Sequence, residues 1–178
     1  AHTLYARIGT YLRRFQGDER KSEEAPIDPG DALVVVCGMG RIGTAAYESL
    51  RSELGERLLG VDFDNAVVKR HLKEGRNVIL GDPSDQDFWT RMQISCSSLE
   101  WVLLATASHA ANTRAILRIR DQETTLRIAA VAKYGDEGDA LRADKVDAVY
   151  DVYSEAGFGF AGHVSDRLKR DRVPECVE

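Results

Sequence analysis

Three glycines in the spacing Gly38-x-Gly40-x-x-Gly43 stand directly behind the apolar run Leu33-Val34-Val35-Val36-Cys37. They are followed by Thr44 to Leu54, which contains no Gly or Pro and carries Ala45, Ala46 and Leu50 at helical spacing. A β-branched run bounded by glycine is the pattern of a strand buried on both faces of a parallel sheet. The glycines therefore sit where a strand hands over to a helix. A glycine triplet alone carries little information; in this setting it specifies a phosphate-binding turn. Gly38 permits the tight turn, Gly40 lets a phosphate approach the backbone, and Gly43 lets the helix pack close to the strand. The helix start offers unpaired N–H groups and the positive end of its dipole to an anion.

The next strand reads Arg57-Leu58-Leu59-Gly60-Val61-Asp62-Phe63-Asp64 and ends in acid. Asp62 lies about 20 residues past the glycines, where a carboxylate accepts hydrogen bonds from both ribose hydroxyls. A 2′-phosphate is repelled there, so NADP is disfavoured.

The bulk properties narrow the classes further. At 178 residues the chain is one domain with appendages. A formal net charge of −5 disfavours nonspecific nucleic-acid binding. No apolar run is long enough to span a bilayer, and there is no signal-peptide pattern. Cys37, Cys96 and Cys176 have neither a disulfide framework nor a metal spacing, which suits a reducing cytosol. Cys37 reads as a small buried hydrophobe.

Residues 1–30 read as an N-terminal helix and charged linker. Leu4, Ile8, Tyr11, Leu12 and Phe15 recur at helical intervals among Arg7, Arg13 and Arg14, an amphipathic basic helix. A charged stretch from Gln16 to Glu24 follows, then Pro26, Pro29 and Gly30. The helix either packs on its own domain or tethers it to an upstream domain, at a membrane surface. The chain begins at Ala1 rather than Met, which suits a piece of a longer protein.

From Asp31 strands and helices alternate. The spacing predicts a helix over Asn65 to Glu74, capped by Asp64 or Asn65 and ended by Gly75. Asn77 to Leu80 is a third strand, and Gly81-Asp82-Pro83-Ser84 leads into a helix that turns Phe88, Trp89 and Met92 inward. Strands follow at Trp101 to Ala105, Thr125 to Ala132 and Val146 to Tyr150. Helices follow at His109 to Ile119, Gly135 to Ala143 and Ser154 to Arg170. The result is an α/β, Rossmann-like, doubly wound parallel six-stranded sheet in the order 3-2-1-4-5-6. Residues 31–152 form the nucleotide-binding domain and 153–178 a C-terminal helix and tail. Ligands in such sheets bind at the carboxyl ends of the strands, beside the switch between strands 1 and 4. That places the glycine loop, Asp62 to Asp64, Gly81 to Ser84, Ala105 to His109, and Lys133 with Tyr134 around one cleft.

These residues resemble the TrkA-N, or RCK, family of regulators of K+ conductance. Gly38-Met39-Gly40-Arg41-Ile42-Gly43, Val61-Asp62-Phe63-Asp64, Gly81-Asp82-Pro83-Ser84 and the segment from Ala105-Thr106 to Asn112-Thr113 are similar, in order, to that family's motifs. The third is the distinguishing one, since dehydrogenases do not carry it after strand 3. Within the family the likeness is greatest to the cytosolic domain of Kef-type, glutathione-regulated K+/H+ antiporters. The resemblance implies AMP or NAD(H) in the cleft, lined by Gly38, Met39, Gly40, Arg41, Ile42, Gly43, Asp62, Phe63, Asp64, Gly81, Asp82, Pro83, Thr106 and Ala107. Asp82 then accepts from the adenine amino group, or else simply caps the helix after Pro83. The resemblance also implies a homodimer in which the last helix crosses to the partner, and an upstream membrane transporter domain in the same polypeptide. The domain then lies at the cytoplasmic face of the bacterial inner membrane. A glutathione-type effector site would involve His109, Asn112 and Lys133, although Lys133 stands where Kef-type domains carry arginine and lacks its bidentate geometry.

An alternative is a soluble NAD-dependent oxidoreductase, or a stand-alone NAD-binding Trk/Ktr-type subunit. Dehydrogenases need a substrate domain and an acid or base. Here one Rossmann unit leaves no room for the former. His109 is the histidine placed near the cleft, while His2, His71 and His163 read as surface or interface residues. No catalytic residue is expected. Arg41 favours AMP over NAD(H), because a terminal phosphate gains more from a guanidinium than a pyrophosphate diester does.

Overall fold

Val34–Cys37 (β1) is buried at every position, as a β-branched run with neighbours on both sides must be. It pairs in parallel with Leu58–Asp62 (β2) and with Trp101–Leu104 (β4). Val78–Leu80 (β3) adds beyond β2. Arg127–Ala132 (β5) and Ala148–Asp151 (β6) add beyond β4. The order is β3-β2-β1-β4-β5-β6, all parallel, the doubly wound arrangement read from the sequence. The computed structural model describes residues 25–94, 97–122 and 125–171. The amphipathic helix expected at Thr3 to Phe15, its charged stretch, Cys96, Cys176 and the tail from 172 lie outside them.

The period of two along β1 divides the core. Val34 and Val36 face one cluster with Leu58, Met39, Tyr47 and Val68. Val35 and Cys37 face the other with Leu59, Val61, Trp89, Ile116 and Leu141. Arg41–Leu54 (α1) and Asn65–Lys73 (α2) cover the first face. Gln86–Met92 (α3), His109–Arg120 (α4) and Gly135–Ala143 (α5) cover the second. Phe88, Trp89 and Met92 are buried, as expected of core aromatics. The helix over 135–143 falls where predicted, but β6 starts later than the apolar pattern suggested. Lys145 turns through positive φ (+58°), and the Asp147 carboxylate accepts from Ile128 N–H (2.7 Å), so a side chain brings the chain to the sheet edge.

The segment read as linker is docked where it is described. Ile27 N–H donates to Arg91 C=O and Arg91 Nε donates to Ala25 C=O, both at 2.9 Å. Ile27 also packs against the second core cluster. At the other end Val152–Asp171 (α6) leaves the sheet, and every side chain from Tyr153 to Arg170 is exposed. Phe158 and Phe160 stand 72% and 73% exposed. Gly157, Gly159 and Gly162 each weaken this helix by about 1 kcal/mol relative to alanine. Among the described residues no helix is long and apolar enough to cross a membrane.

Candidate nucleotide site

The cleft opens where the chain leaves β1 for one face of the sheet and β4 for the other. Its three glycines do different work. Gly38 has φ +92°, and a Cβ there would lie 2.8 Å from Thr106 N, so both conformation and space require glycine. A Cβ on Gly43 would fall 1.8 Å from Gly38 O, because the first turn of α1 rests directly on the loop. A Cβ on Gly40 would meet nothing within 4 Å. Gly40 is the N-cap of α1 and no side chain caps that helix. The space at Gly40 and the lack of a side-chain cap among the described residues suit this helix start to a phosphate. Arg41 begins α1, is exposed, and has no ion pair among the described residues.

Asp62 ends β2 and is 7% exposed. Its Oδ2 accepts from Met39 N–H (2.7 Å) and its Oδ1 from Asp64 N–H (2.9 Å). A carboxylate has about four acceptor sites, so capacity remains for a ribose diol. Asp62 therefore also bolts the glycine loop to β2, a role the spacing did not reveal. Burial, reinforced by Asp62, pushes the Cys37 thiol far above its usual range, so Cys37 is the inert core residue expected.

Met39 contributes only backbone to the loop, since its side chain is fully buried in the core. Its carbonyl accepts from Thr44 Oγ1 (3.1 Å) and lies 2.9 Å from His71 Nε2. This corrects the placement of His71 at the surface. His71 is 1% exposed and touches the glycine loop from behind. It shares the inward face of α2 with Val68, three residues earlier, and the Met39 carbonyl satisfies its ring N–H. A histidine three residues after an inward-facing valine was the available signal.

Between Asp62 and Asp64, Phe63 stands 74% exposed at the cleft mouth. The Asp64 carboxylate caps α2, accepting from Ala66 N–H at 2.8 Å. Leu80, the β3 register partner of Asp62, is an exposed apolar residue the sequence reading passed over. A leucine at the last strand position, directly before Gly81-Asp82, was the signal for it. Gly81 is demanded by packing: a Cβ would enter the Phe88 ring. Asp82 does not cap α3; Asp85 does, accepting from Asp87 N–H (3.0 Å). One Asp82 oxygen accepts from Ser84 N and Oγ (2.8 Å each), and the residue is exposed. Pro83 is buried, and its carbonyl accepts from Trp89 Nε1 at 2.7 Å.

Across the cleft, Thr106 Oγ1 donates to Asn112 Oδ1 (2.6 Å). Asn112 Nδ2 donates to the carbonyls of Thr106 and Val131 (3.4 Å each). Asn112 is 1% exposed, and its amide ties the exit of β4 to β5. Ala107 is exposed, and Ser108 caps α4 through Ala111 N–H (3.3 Å). His109 is half-buried, and its Nδ1 has no hydrogen-bond partner among the described residues. Lys133 is exposed beyond β5, with its backbone N–H on Glu137 Oε2 (2.8 Å). The glycine loop, Asp62, Phe63, Gly81 to Pro83 and Thr106 thus gather at one end of the sheet, with His109 and Lys133 at the same end. Asn112 is held inside. Among the described residues no group of His, Cys, Asp and Glu forms a metal site.

A glycine turn running into an uncapped helix, with a carboxylate closing the second strand of a doubly wound sheet, defines a Rossmann-type nucleotide-binding domain. The chain belongs to the TrkA-N domain family, whose pattern matches residues 34–151, from the first strand to the last. TrkA-N and RCK domains are nucleotide-binding regulatory domains of K+ transport systems. No curated protein sequence matches the chain. Among solved structures, the NAD(P)-binding domain of an exopolyphosphatase-related protein from Archaeoglobus fulgidus is similar, with a TM-score of 0.68 and 16% identity over 76% of this chain and 98% of that one. The TrkA-N domain of the inner membrane protein YbaL from Escherichia coli gives 0.66 and 17% over 75% and 96%. The Kef CTD of Shewanella denitrificans, in AMP-bound form, gives 0.57 and 16% over 78% and 96%. At these identities the likeness is one of fold.

Proposed function

We propose that this chain is the nucleotide-sensing regulatory domain of a bacterial K+ efflux system of the Kef K+/H+ antiporter type, with AMP as its ligand and NAD(H) as the competitor for the same cleft. The observation that carries this reading is the start of α1, which among the described residues has no side-chain cap and no ion pair for Arg41, with open space at Gly40. A phosphate monoester there receives backbone N–H groups, the helix dipole and a guanidinium. The remaining acceptor sites of Asp62 take the ribose diol. Phe63 and Leu80, exposed on either side of Asp62, offer apolar surface to the base, and Asp82 has an oxygen left for its amino group. Fold relatives carry both candidates, the Kef CTD in an AMP-bound form and the GsuK channel bound to NAD, so the preference for AMP rests on Arg41 and the helix start.

The domain carries out no chemistry in this reading. It sits at the cytoplasmic face of the membrane, joined upstream to its transporter, and dimerises through the apolar face of α6. His109 and Lys133 are the groups left for a glutathione-type effector. Calorimetric titration of the parent and Arg41→Ala with AMP, NAD and adenosine tests the ligand assignment. Arg41→Ala is expected to weaken AMP most, NAD less and adenosine hardly at all. Equal weakening of all three, or no binding of AMP by the parent, sinks it.

A further inference from the structure

A run of hydrogen bonds behind the glycine loop is not needed for contact with any nucleotide. His71 Nε2 lies 2.9 Å from Met39 O, and His71 Nδ1 lies 2.9 Å from Arg76 Nη1. A carbonyl only accepts and a guanidinium only donates, so Nε2 carries the hydrogen and Nδ1 is bare. Both ring nitrogens are thereby assigned a partner. Arg76 is fixed in turn by hydrogen bonds to Glu48 of α1 and to Glu74, with its side chain 13% exposed. The hydrogen bond from Arg76 holds the Glu74 carboxyl below its usual range. Arg70 also faces the ring, with its Nη2 3.5 Å from Nε2. Asp62 lies on the other side of Met39, accepting from its N–H while the ring faces its carbonyl.

We infer that His71 is a positioning residue for the glycine loop, that its Nε2–H form with Nδ1 bare holds the loop ready for nucleotide, and that a proton at Nδ1 loosens that hold, so that nucleotide affinity is linked to one proton at position 71. The nucleotide half of this rests on the function proposed above; the positioning half does not. Protonation at Nδ1 sets an N–H against the Arg76 N–H and adds a cation to a buried site that already faces Arg70 and Arg76. Relief requires the ring or Arg76 to move. If the ring moves, Nε2–H leaves the Met39 carbonyl. Met39 directly precedes Gly40, the N-cap of α1, so the peptide that holds its carbonyl also holds the Gly40 N–H at the phosphate turn.

Two measurements on the full chain test this. Nitrogen NMR of the nucleotide-free protein at neutral pH is expected to show His71 as the Nε2–H tautomer, with Nδ1 bare. In Arg76→Met, which keeps the stem and removes the donor, that tautomer is expected to give way to a mixture. AMP affinity is then compared between pH 8 and pH 5.5 in the parent and in His71→Gln, whose amide still donates but does not titrate. The phosphate of AMP titrates in the same range, so the quantity read is the ratio of parent to variant. That ratio is expected to fall on acidification, with a limiting slope of about tenfold per pH unit for one linked proton. A ratio flat across this range, or a parent His71 that is cationic or protonated at Nδ1 at neutral pH, overturns the inference. If the parent binds neither AMP nor NAD at any pH, the ligand reading falls and the proton linkage with it. The tautomer in the parent and in Arg76→Met then still decides whether His71 positions the loop.

Discussion

Asp62→Ala should cost this protein twice, and the two losses are separable. In the ligand-free protein the carboxylate accepts from Met39 N–H at 2.7 Å in a buried setting and from Asp64 N–H at 2.9 Å in a half-buried one. Alanine leaves the Met39 donor without a partner, at a cost of about 1–3 kcal/mol. The Asp64 donor is nearer to solvent and adds less. Taking about 2 kcal/mol, and roughly 2–4 °C per kcal/mol for a chain of this size, the melting temperature should fall by roughly 4–8 °C without any ligand. The second loss is the ribose. Hydrogen bonds to a charged group contribute about 1.5–3 kcal/mol, so AMP affinity should drop roughly tenfold to more than a hundredfold. Asp62→Asn divides the two, because its carbonyl oxygen can still take the Met39 N–H while its amide group faces the Asp64 N–H. It should melt closer to the parent yet still bind AMP poorly. Thermal denaturation followed by circular dichroism, with and without AMP, reads both terms. An Asp62→Ala protein that melts with the parent refutes the bond to the loop. One that binds AMP as tightly as the parent refutes the site.

Gly43→Ala places a Cβ 1.8 Å from Gly38 O, a clash with backbone that no side chain can relieve, and should destabilise by about 1–3 kcal/mol or more in denaturant titration. An unchanged midpoint would mean that α1 does not rest on the loop. Replacing Phe158 and Phe160 together by Asp should convert a sedimenting dimer to monomer without lowering AMP affinity, because both side chains are in solvent within one chain. A parent that sediments as a monomer at tens of micromolar, roughly the range of weak association, removes the dimer. Asp151 accepts from Ser154 N–H at 2.9 Å, and this bond lowers its pKa. Its contribution to the start of α6 is therefore full above the unfolded carboxyl value, about 3.9, and disappears as pH falls through the lower folded value. Amide exchange at Ser154 should accelerate only below about pH 4, and Asp151→Asn should abolish that acid dependence.

The nucleotide fold was legible because its determinants are local. A β-branched run, glycines at fixed offsets, a carboxylate at the end of the next strand and caps such as Asp64 and Ser108 act on neighbours a few residues away. Their periods and turn chemistry therefore appear in order along the chain. The strand order followed from the alternation of strands and helices, because parallel strands require crossovers. What escaped was decided between residues far apart in sequence. His71 reads as a surface histidine until the fold brings it to the Met39 carbonyl, 32 residues away. Asn112 reads as a ligand until the exit of β4 and Val131, 19 residues on, take up its amide. The described end of the segment read as linker is docked because Arg91, 66 residues after Ala25, lies beside it. Asp62 was placed at the ribose by its spacing, but only the proximity of Met39, 23 residues earlier, makes it a fastener of the loop as well. Local sequence sets which backbone states are cheap. Which polar groups lose water, and which partner must then satisfy them, is set by the packing of the helices onto the two faces of the sheet.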